Sequence, residues 1–330
     1  MNQHEQILTA RVTAVHRERY QLSCDRGELY ARLKTKEYYL EQAQFPTVGD
    51  YVTIQHVKNG DSLILSTLPR RTVFTRREPG PIPREQAVAA KFDYVFILQS
   101  LNQDFNPKRL ERYLTLAWQS GAEPVVLLTK ADLVEDYWKY LTAAEGVAMG
   151  VNIHPISAHS GFGLQRLNAY LQPGKTVVFL GSSGVGKSSL VNALAGEALM
   201  AVAAIREDDS KGRHTTTHRQ LLRLRSGVTI IDTPGMRELG MWDASEGLTE
   251  AFADVQAYLG RCRFSDCTHT REPGCAIRAA IDRGELDLER WESYQKLSEE
   301  AVDKSELLRR KQEWSKGVAR FSRNRNKEVW

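Results

Sequence analysis

The sequence has no apolar run long enough to cross a membrane. Its longest aliphatic stretches, such as Val125–Leu128, fall far short of the roughly 20 residues that a membrane-spanning helix requires. The amino-terminal segment MNQHEQILTARV lacks the basic and apolar regions of a secretion signal. We therefore expect a cytoplasmic protein without a membrane partner. Internal repeats are also absent, and an apolar fraction of 42% is typical of a globular protein.

Cysteine is scarce, with four residues in a chain of 330. Cys24 stands alone in a strand-like segment and is interpreted as an ordinary strand residue. Cys262, Cys267 and Cys275 instead lie close together in the sequence, around His269. This arrangement indicates a metal site and differs from the disulfide framework of a small secreted domain.

Neither sign of charge is in large excess, since the formal net charge is +4. The basic residues are nevertheless unevenly placed, with nine Lys and Arg against two Glu between Lys304 and Lys327. This basic tail also carries Trp314 and Phe321, a mixture that favours contact with RNA phosphates. A solvated helix that packs on its own domain is the alternative.

Residues 1–70 are predicted to form an all-β OB-fold barrel that binds RNA. Five short runs with strand-like alternation are separated by turn-like stretches: ILTARVTAV, YQLSC, ELYARL, DYVTIQHV and SLILSTL. A linker rich in Pro and Arg is predicted over 71–91. Candidate phosphate contacts in these two regions are Arg32, Lys34, Lys36, Arg70, Arg71, Arg76 and Arg77.

From Phe92 onward, apolar strands alternate with amphipathic helices, which predicts a doubly wound α/β domain over 92–243. Its expected helices are Pro107–Ser120, Tyr137–Ala144 and Gly163–Leu171, and a strand pair is expected in Gln220–Asp232. Residues 244–330 show no strand pattern and are predicted to form a small α-helical zinc-binding domain. Its expected helices are Thr249–Leu259, Ala276–Arg283 and Leu288–Lys316, the last of which carries the basic residues.

Residues 181–189, GSSGVGKSS, follow an apolar strand and precede a helical segment. In this context they predict a phosphate-binding loop, because the glycines let backbone N–H groups point at phosphate oxygens. Lys187 is the expected partner of the β and γ phosphates, and Ser188 that of Mg²⁺. The predicted nucleotide contacts in this loop are Gly181, Ser182, Ser183, Gly184, Val185, Gly186, Lys187, Ser188 and Ser189.

The segment DTPG comes at the end of another apolar strand. Asp232 is expected to hold Mg²⁺, and the Gly235 amide is expected to sense the γ-phosphate. The glutamine that orients the attacking water in many GTPases is missing, since Met236 stands in its place. A thioether cannot polarise water, so either another group does so or intrinsic hydrolysis is very slow.

The segment GRHTTTH predicts the first switch of the nucleotide site. His214 is a candidate for orienting water, and a solvated loop residue is the equally weighted alternative. Thr215, Thr216 and Thr217 are candidates to cap Mg²⁺ and the γ-phosphate. We predict that His214, Thr216, Thr217 and Gly235 form the catalytic set. Thr216 is also predicted to bind Mg²⁺.

Two segments upstream of the phosphate loop, TKAD and ISA, predict guanine as the base. The Asp132 carboxylate accepts two hydrogen bonds, which suits guanine and would leave a buried charge unpaired against adenine. The predicted GTP contacts in these segments are Thr129, Lys130, Asp132, Ser157 and Ala158. The Lys130 stem is expected to cover one face of the base, and the Ala158 amide to donate to the guanine carbonyl. Ordinary GTPases place such segments downstream, so the domain is predicted to be circularly permuted.

Cys262, Cys267, His269 and Cys275 are arranged with a Cys-x4-Cys-x-His-x5-Cys spacing. Three thiolates and one imidazole make a closed tetrahedral site, which is typical of structural zinc. A redox or packing role is the alternative, although the intervening residues are too polar to bury free thiols. One structural Zn²⁺ is therefore predicted.

The permuted motif order, GRHTTT, DTPG and the Cys/His spacing together resemble the RsgA/YjeQ family of small-ribosomal-subunit-dependent GTPases, over nearly the whole chain. The resemblance implies an OB-fold, a permuted GTPase domain and a zinc domain. It also implies GTP hydrolysis that is stimulated by the small ribosomal subunit during its late maturation. The family's switch histidine corresponds to His214. Thr129 stands where the general motif has Asn, and Lys91 stands where many members have Asn.

We therefore predict a monomeric GTPase that binds GTP or GDP with Mg²⁺, contacts the small ribosomal subunit and its rRNA, and couples hydrolysis to late maturation. One alternative is a ribosome-independent nucleotide hydrolase whose OB-fold binds a small ligand. Another is an RNA-binding adaptor in which GTP is only structural. Met236 argues against fast free turnover, whereas Lys187, Ser188 and Asp232 argue against an inactive site.

Overall fold

The computed structural model describes residues 6–16, 19–34, 44–77, 85–102, 104–200, 220–232, 241 and 244–301. The chain divides into two compact units, Met1–Thr75 with Ala87–Glu238 and Arg76–Gln86 with Leu239–Trp330. Several predicted features lie outside the described residues: Lys36, His214, Thr215, Thr216, Thr217, Gly235, Met236 and the tail 302–330.

The first five strands form a closed barrel, which confirms the predicted OB-like fold. They are β1 (Ile7–Val15), β2 (Tyr20–Cys24), β3 (Gly27–Leu33), β4 (Tyr51–Gln55) and β5 (Ser62–Thr67). They pair in the order β1-β2-β3-β5-β4, and β4 pairs again with β1. Only the pairing of β3 with β5 is parallel within this barrel.

Alternate residues of the strands fill the barrel. β1 buries Ala10, Val12 and Ala14, while Arg11 and Thr13 between them are only partly covered. This alternation results from the strand geometry, in which successive side chains point to opposite faces. The apolar cluster inside the barrel comprises Ala10, Val12, Leu22, Ala31, Val52, Ile54 and Ile64.

Two further strands occupy the segment that the sequence predicts as a linker. β6 (Val73–Arg77) and β7 (Glu85–Ala90) pair with each other in a separate two-stranded sheet. The Phe74 ring stacks on the Phe92 ring with centroids 4.9 Å apart, and both rings are buried. The segment therefore has secondary structure and contributes to the core.

The next six strands form a sheet of the predicted doubly wound type. They are β8 (Tyr94–Ser100), β9 (Glu123–Thr129), β10 (Asn152–Pro155), β11 (Thr176–Gly181), β12 (Gln220–Arg223) and β13 (Thr229–Asp232). Their order is β10-β9-β8-β11-β13-β12, and all neighbours are parallel except β12, which is antiparallel to β13. Ala14 of β1 pairs with Gln220 of β12, so this sheet is continuous with the barrel.

Three α-helices connect or follow these strands: α1 (Pro107–Gln119), α2 (Trp138–Glu145) and α3 (Lys187–Ala195). α1 begins at Pro107 because the Asn106 side chain accepts a hydrogen bond from the Arg109 amide. The predicted helix Gly163–Leu171 is instead a 3₁₀ helix, Leu164–Ala169. Leu164, Leu167 and Tyr170 pack on the core at every third position, which suits the three residues per turn of a 3₁₀ helix.

The second unit is helical in its described part, with α4 (Ser245–Ala251), α5 (Ala253–Gln256), α6 (Ala276–Asp282) and α7 (Leu288–Glu300). The helix predicted over Thr249–Leu259 is broken at Phe252, which has φ −120° and ψ 39°. The helix predicted over Leu288–Lys316 ends at Glu300, because the backbone of Ala301 is extended, with φ −71° and ψ 90°. Arg290 of α7 is buried and donates to both carboxylate oxygens of Asp254, at 3.0 and 3.1 Å. It also donates to Ala251 O at 2.6 Å, so α7 is tied to α4 and α5.

Candidate nucleotide site and Cys/His cluster

The phosphate-loop sequence lies where β11 ends and α3 begins. β11 is flanked by β8 and β13, the point where the strand order reverses and where open α/β sheets bind ligands. A Cβ on Gly181 would lie 3.0 Å from Leu98 O on β8, a tight contact, so glycine favours the close approach of the two strands there. Gly186, just before α3, has φ 102°, a conformation that side chains disfavour.

Lys187 and Asp232 meet at this edge of the sheet. Lys187 Nζ lies 2.8 Å from Asp232 Oδ1, and Asp232 is only 6% exposed at the end of β13. Apart from this ion pair, no group in the described residues donates a hydrogen bond to that buried oxygen. Together with the Ser188 hydroxyl, it offers the hard oxygen donors that Mg²⁺ prefers. The residues present therefore fit a magnesium ion.

Thr129 connects the end of β9 to the phosphate loop. Its side chain is buried, and its hydroxyl donates to Val185 O at 2.6 Å. Thr129 occupies the position at which the general GTPase motif has Asn, and here a shorter side chain reaches the loop carbonyl directly. The hydroxyl thus links the segment predicted to read guanine to the loop predicted to bind phosphate.

The two segments predicted to read guanine lie side by side, because β9 and β10 are parallel neighbours. The Ala131 amide donates to Ile156 O at 3.1 Å, which joins the segments directly. Lys130 adopts a left-handed backbone conformation with φ 59° and ψ 37°. Asp132 is exposed and Ala158 is half-buried, so both remain accessible to a base.

Ser157 is fully buried and orders the loop after β10. Its hydroxyl accepts hydrogen bonds from the amides of His159 and Ser160, at 3.2 and 3.1 Å. Gly163 ends this loop with φ 73°, and a Cβ there would lie 2.3 Å from Pro155 O. The conformation of the loop therefore depends on a hydrogen-bonded serine and an obligatory glycine.

The phosphate loop has a further partner that sequence reasoning missed. The Ser182 hydroxyl donates to Asp104 Oδ2 at 2.5 Å, and Asp104 forms an ion pair with Arg109 at 3.0 Å. Arg109 also donates to Gln99 Oε1 at 3.3 Å. Asp104 lies 78 residues before Ser182, and the pairing of β8 with β11 brings the two together. No local motif marks this carboxylate in the sequence.

The three cysteines and the histidine predicted as metal ligands converge. His269 Nδ1 lies 3.4, 3.6 and 3.5 Å from the sulfurs of Cys262, Cys267 and Cys275, respectively. The sulfurs of Cys262 and Cys275 are 3.9 Å apart. Metal–ligand bonds of zinc length imply tetrahedral edges of about 3.8 Å between sulfurs and about 3.5 Å from sulfur to nitrogen. The donor atoms therefore fit one tetrahedral zinc ion.

The surrounding residues hold the Cys/His cluster in place. The Glu272 carboxylate accepts hydrogen bonds from the amides of Thr268, Thr270 and Arg271, each at 3.0 Å. Hydrogen bonds from the Thr268 hydroxyl, and then from the backbone amides of Glu272 itself, Thr268 and Arg271, lower the pKa of Glu272 to about 2. On the other side, the Trp291 ring of α7 meets the imidazole edge-on, with centroids 5.4 Å apart.

The sequence profile described as RsgA GTPase matches residues 67–242. The chain belongs to the RsgA GTPase family. It is 50% identical over 291 residues to the Small ribosomal subunit biogenesis GTPase RsgA 1 of Listeria monocytogenes, a match that covers 88% of this chain and 82% of that protein. It is 40% identical over 324 residues to RsgA 2 of Vibrio parahaemolyticus, which covers 98% of this chain and 88% of that protein.

Solved structures share the fold. YjeQ from Thermotoga maritima superposes with a TM-score of 0.66 at 27% identity, covering 88% of this chain and 97% of that one. YloQ, described as a circularly permuted GTPase, gives a TM-score of 0.61 at 23% identity, covering 91% and 97%. The fold class predicted from the sequence is thereby confirmed. As an RsgA GTPase the chain is an enzyme that hydrolyses GTP, with GTP or GDP and Mg²⁺ as the ligands that the family implies.

The basic residues expected to contact RNA differ in their availability. Arg70 is only 11% exposed and pairs with the buried Asp50 carboxylate at 2.6 Å, so it holds the barrel together and is not free for phosphate. Arg32 pairs with Asp61 at 2.6 Å but remains exposed, and Arg71 is 78% exposed.

Among the described residues, no helix is long and apolar enough to span a membrane.

Proposed function

We propose that this protein binds the small ribosomal subunit and couples GTP hydrolysis to the late maturation of that particle. The GTPase part rests on one observation: Lys187, Asp232 and the guanine-reading segments meet at one edge of a permuted sheet. The ribosomal part rests on the relatives, whose names describe small ribosomal subunit biogenesis GTPases and most of whose length this chain covers.

In the proposed reaction, the amides of residues 181–189 and the Lys187 ammonium bind the phosphates, and Asp132 recognises guanine. Ser188 and Asp232 are the residues that would hold Mg²⁺, with Thr216 as a third. The ion, when bound, neutralises the charge that develops on the phosphate oxygens. The Gly235 amide would report the presence of the γ-phosphate to the segment after it.

We assign His214 to the catalytic set, together with Thr216, Thr217 and Gly235. Met236 cannot orient a water molecule as glutamine does, so the protein alone is expected to hydrolyse GTP slowly. In this assignment the small subunit stimulates hydrolysis by fixing His214 beside the attacking water. His214 thus acts in the transition state and contributes little to GTP binding.

We further propose that Cys262, Cys267, His269 and Cys275 hold one structural zinc ion, for which the donor separations are the support. The domains are expected at 1–70, 92–243 and 244–330, with 71–91 between the first two. Contacts with rRNA are assigned to the barrel, Arg71 and the basic tail. The protein is expected to act as a monomer in the cytoplasm.

GTP turnover with and without purified small ribosomal subunits tests the function. We expect the subunits to raise turnover by at least about tenfold, and His214→Ala to lose most of this stimulation while still binding GTP. His218→Ala, in the same segment, is the matched control. Fast turnover without subunits would favour a ribosome-independent hydrolase, and absent turnover with intact subunit binding would favour an adaptor with structural GTP.

A further inference from the structure

A pocket of 330 Å³ lies within the first unit, where β1 of the barrel meets the α/β sheet. Its lining includes Arg11, Tyr51, Arg71, Lys91, Asp93 and Thr176. Thr176 begins β11, and the phosphate loop begins at the other end of this strand. A strand of this length spans about 17 Å, so the pocket and the nucleotide site lie at opposite ends of β11.

The pocket contains more positive than negative charge. Arg11, Arg71 and Lys91 contribute three cations, and Asp93 is the one carboxylate of the lining. That carboxylate is already engaged, because it accepts from the Thr176 amide at 2.9 Å and pairs with Lys175 at 3.1 Å and with Arg71 at 3.5 Å. In the part of the chain that the structure describes, no group pairs with the Lys91 ammonium.

The Arg11 guanidinium is held in place by hydrogen bonds but keeps one nitrogen without an acceptor in the described residues. Its Nη2 donates to Lys91 O at 3.2 Å and to Thr176 Oγ1 at 2.8 Å, whereas its Nη1 has no acceptor among the described residues. Burial lowers the pKa of Arg11 from its ordinary value, and the nearby charge of Arg223 acts in the same direction. An anion in the pocket would stabilise the charged guanidinium against its burial and against the nearby charge of Arg223.

We propose that this pocket binds the phosphate of a nucleotide, with Lys91, Arg71 and the unused edge of Arg11 around the phosphate and the Tyr51 ring against the base. Guanidinium and ammonium groups are the usual protein partners of phosphate. Tyr51 is 38% exposed and has the Arg11 guanidinium 5.3 Å from its ring centroid, so part of the ring is open to stacking.

Two sources supply this chemistry: a nucleotide unit within an RNA strand, or a free mononucleotide. The RNA source rests on the proposed function, because contact with rRNA would bring such a strand to the barrel. The volume of the pocket is at the lower end of small-molecule sites, which suits one nucleotide and no more. The structure supports the phosphate chemistry, and binding measured with an RNA strand and with a mononucleotide separates the sources.

The test uses the full-length protein saturated with GDP and Mg²⁺, so that the phosphate loop is already occupied. Lys91→Asn removes the charge, and asparagine tolerates the left-handed backbone found there, φ 57°. Arg71→Gln removes a second charge from a side chain that is 78% exposed, and loss of its surface ion pair with Asp93 should cost little stability. Lys139→Asn, which removes an exposed lysine from α2, is the matched control. The probes are a labelled decauridylate, followed by fluorescence anisotropy over a range of salt, and uridine monophosphate, followed by calorimetry.

If RNA is the source, both pocket variants weaken decauridylate binding by about threefold or more and reduce the salt slope by about 0.7, while the control does neither. If a mononucleotide is the source, the parent and the control bind uridine monophosphate, and both pocket variants fail to bind it. Pocket variants that match the control with both probes overturn the proposal. Stimulation of GTP turnover by small subunits is measured on the parent alone, so a failure of the proposed function is recognised separately.

Discussion

A single buried hydroxyl joins the base-reading segment to the phosphate loop. Thr129→Val keeps the shape of the side chain but leaves Val185 O without its donor, which costs roughly 1–3 kcal/mol in a buried site. We expect affinity for GDP to fall by about tenfold while the preference for guanine persists. Titration with a fluorescent GDP analogue measures this, and Thr129→Ser, which retains the hydroxyl, is the control. Unchanged affinity in the valine variant would show that the contact is dispensable.

Base selectivity is predicted to depend on one exposed carboxylate, that of Asp132. In Asp132→Asn an amide donates hydrogen bonds where the carboxylate accepted them, so guanine loses a partner and xanthine gains one. We expect GTP turnover to fall by about 100-fold and turnover of xanthosine triphosphate to rise. Glu135→Gln, which removes a neighbouring exposed carboxylate, should leave both rates unchanged. Comparable binding of GTP and ATP by the parent protein would contradict this account of Asp132.

At the scale of secondary structure, local patterns in the sequence located most elements. The five barrel strands and the parallel strands coincide with the predicted runs, because alternation and apolar runs depend only on neighbouring residues. Three helices differed: Gly163–Leu171 contains a 3₁₀ helix, Thr249–Leu259 is broken at Phe252, and the helix predicted over Leu288–Lys316 ends at Glu300. In the first two of these helices, the altered segment makes tertiary contacts that sequence patterns do not reveal: Leu167 lies in the apolar core, and the Arg290 guanidinium lies 4.0 Å from the centroid of the Phe252 ring.

Contacts between distant segments were not predictable in this way. The motifs marked the segments predicted to bind phosphate and to read guanine, as well as the Cys/His cluster, because each is a short run whose spacing carries its chemistry. Ser182 with Asp104, Arg70 with Asp50 and the left-handed backbone of Lys91 depend on which strands become neighbours. Composition alone therefore placed Arg70 among the RNA contacts, whereas its buried ion pair shows that it stabilises the barrel.

The loop of the Cys/His cluster depends on Glu272. Hydrogen bonds to its ionised form lower its pKa to about 2, so the stabilisation it gives is complete above the ordinary value of 4.5 and is lost only as the pH falls toward 2. Glu272→Gln replaces a charged acceptor of three amides with a weaker one. We expect the variant to lose zinc to a chelator faster than the parent protein does, by the same factor at pH 6 and at pH 8. Glu292→Gln, on the exposed face of α7, is the control. Equal rates of loss for the two variants would remove Glu272 from the support of the cluster.

At the scale of the whole molecule, circular permutation changes which segment the chain enters after the γ-phosphate sensor. An ordinary motif order would return the chain to the sheet after DTPG, whereas here 26 residues lead from Gly235 to Cys262 in the second unit. We expect movement of the predicted sensor on hydrolysis to be passed along this short segment to the Cys/His cluster. The helical unit is the part of the chain best placed in sequence to respond to the nucleotide.

Cys267→Ser tests this connection, because it removes one of four zinc ligands and leaves the first unit untouched. We expect loss of one zinc ion and of the folding of α6 and α7, nearly normal GDP affinity, and a fall of at least about tenfold in turnover stimulated by small subunits. Elemental analysis, nucleotide titration and stimulated turnover on the same preparation measure the three effects. Cys24→Ser, in the barrel, is the matched substitution that should alter none of them. Zinc loss with full stimulation would show that the metal site stabilises its own unit without transmitting the state of the nucleotide.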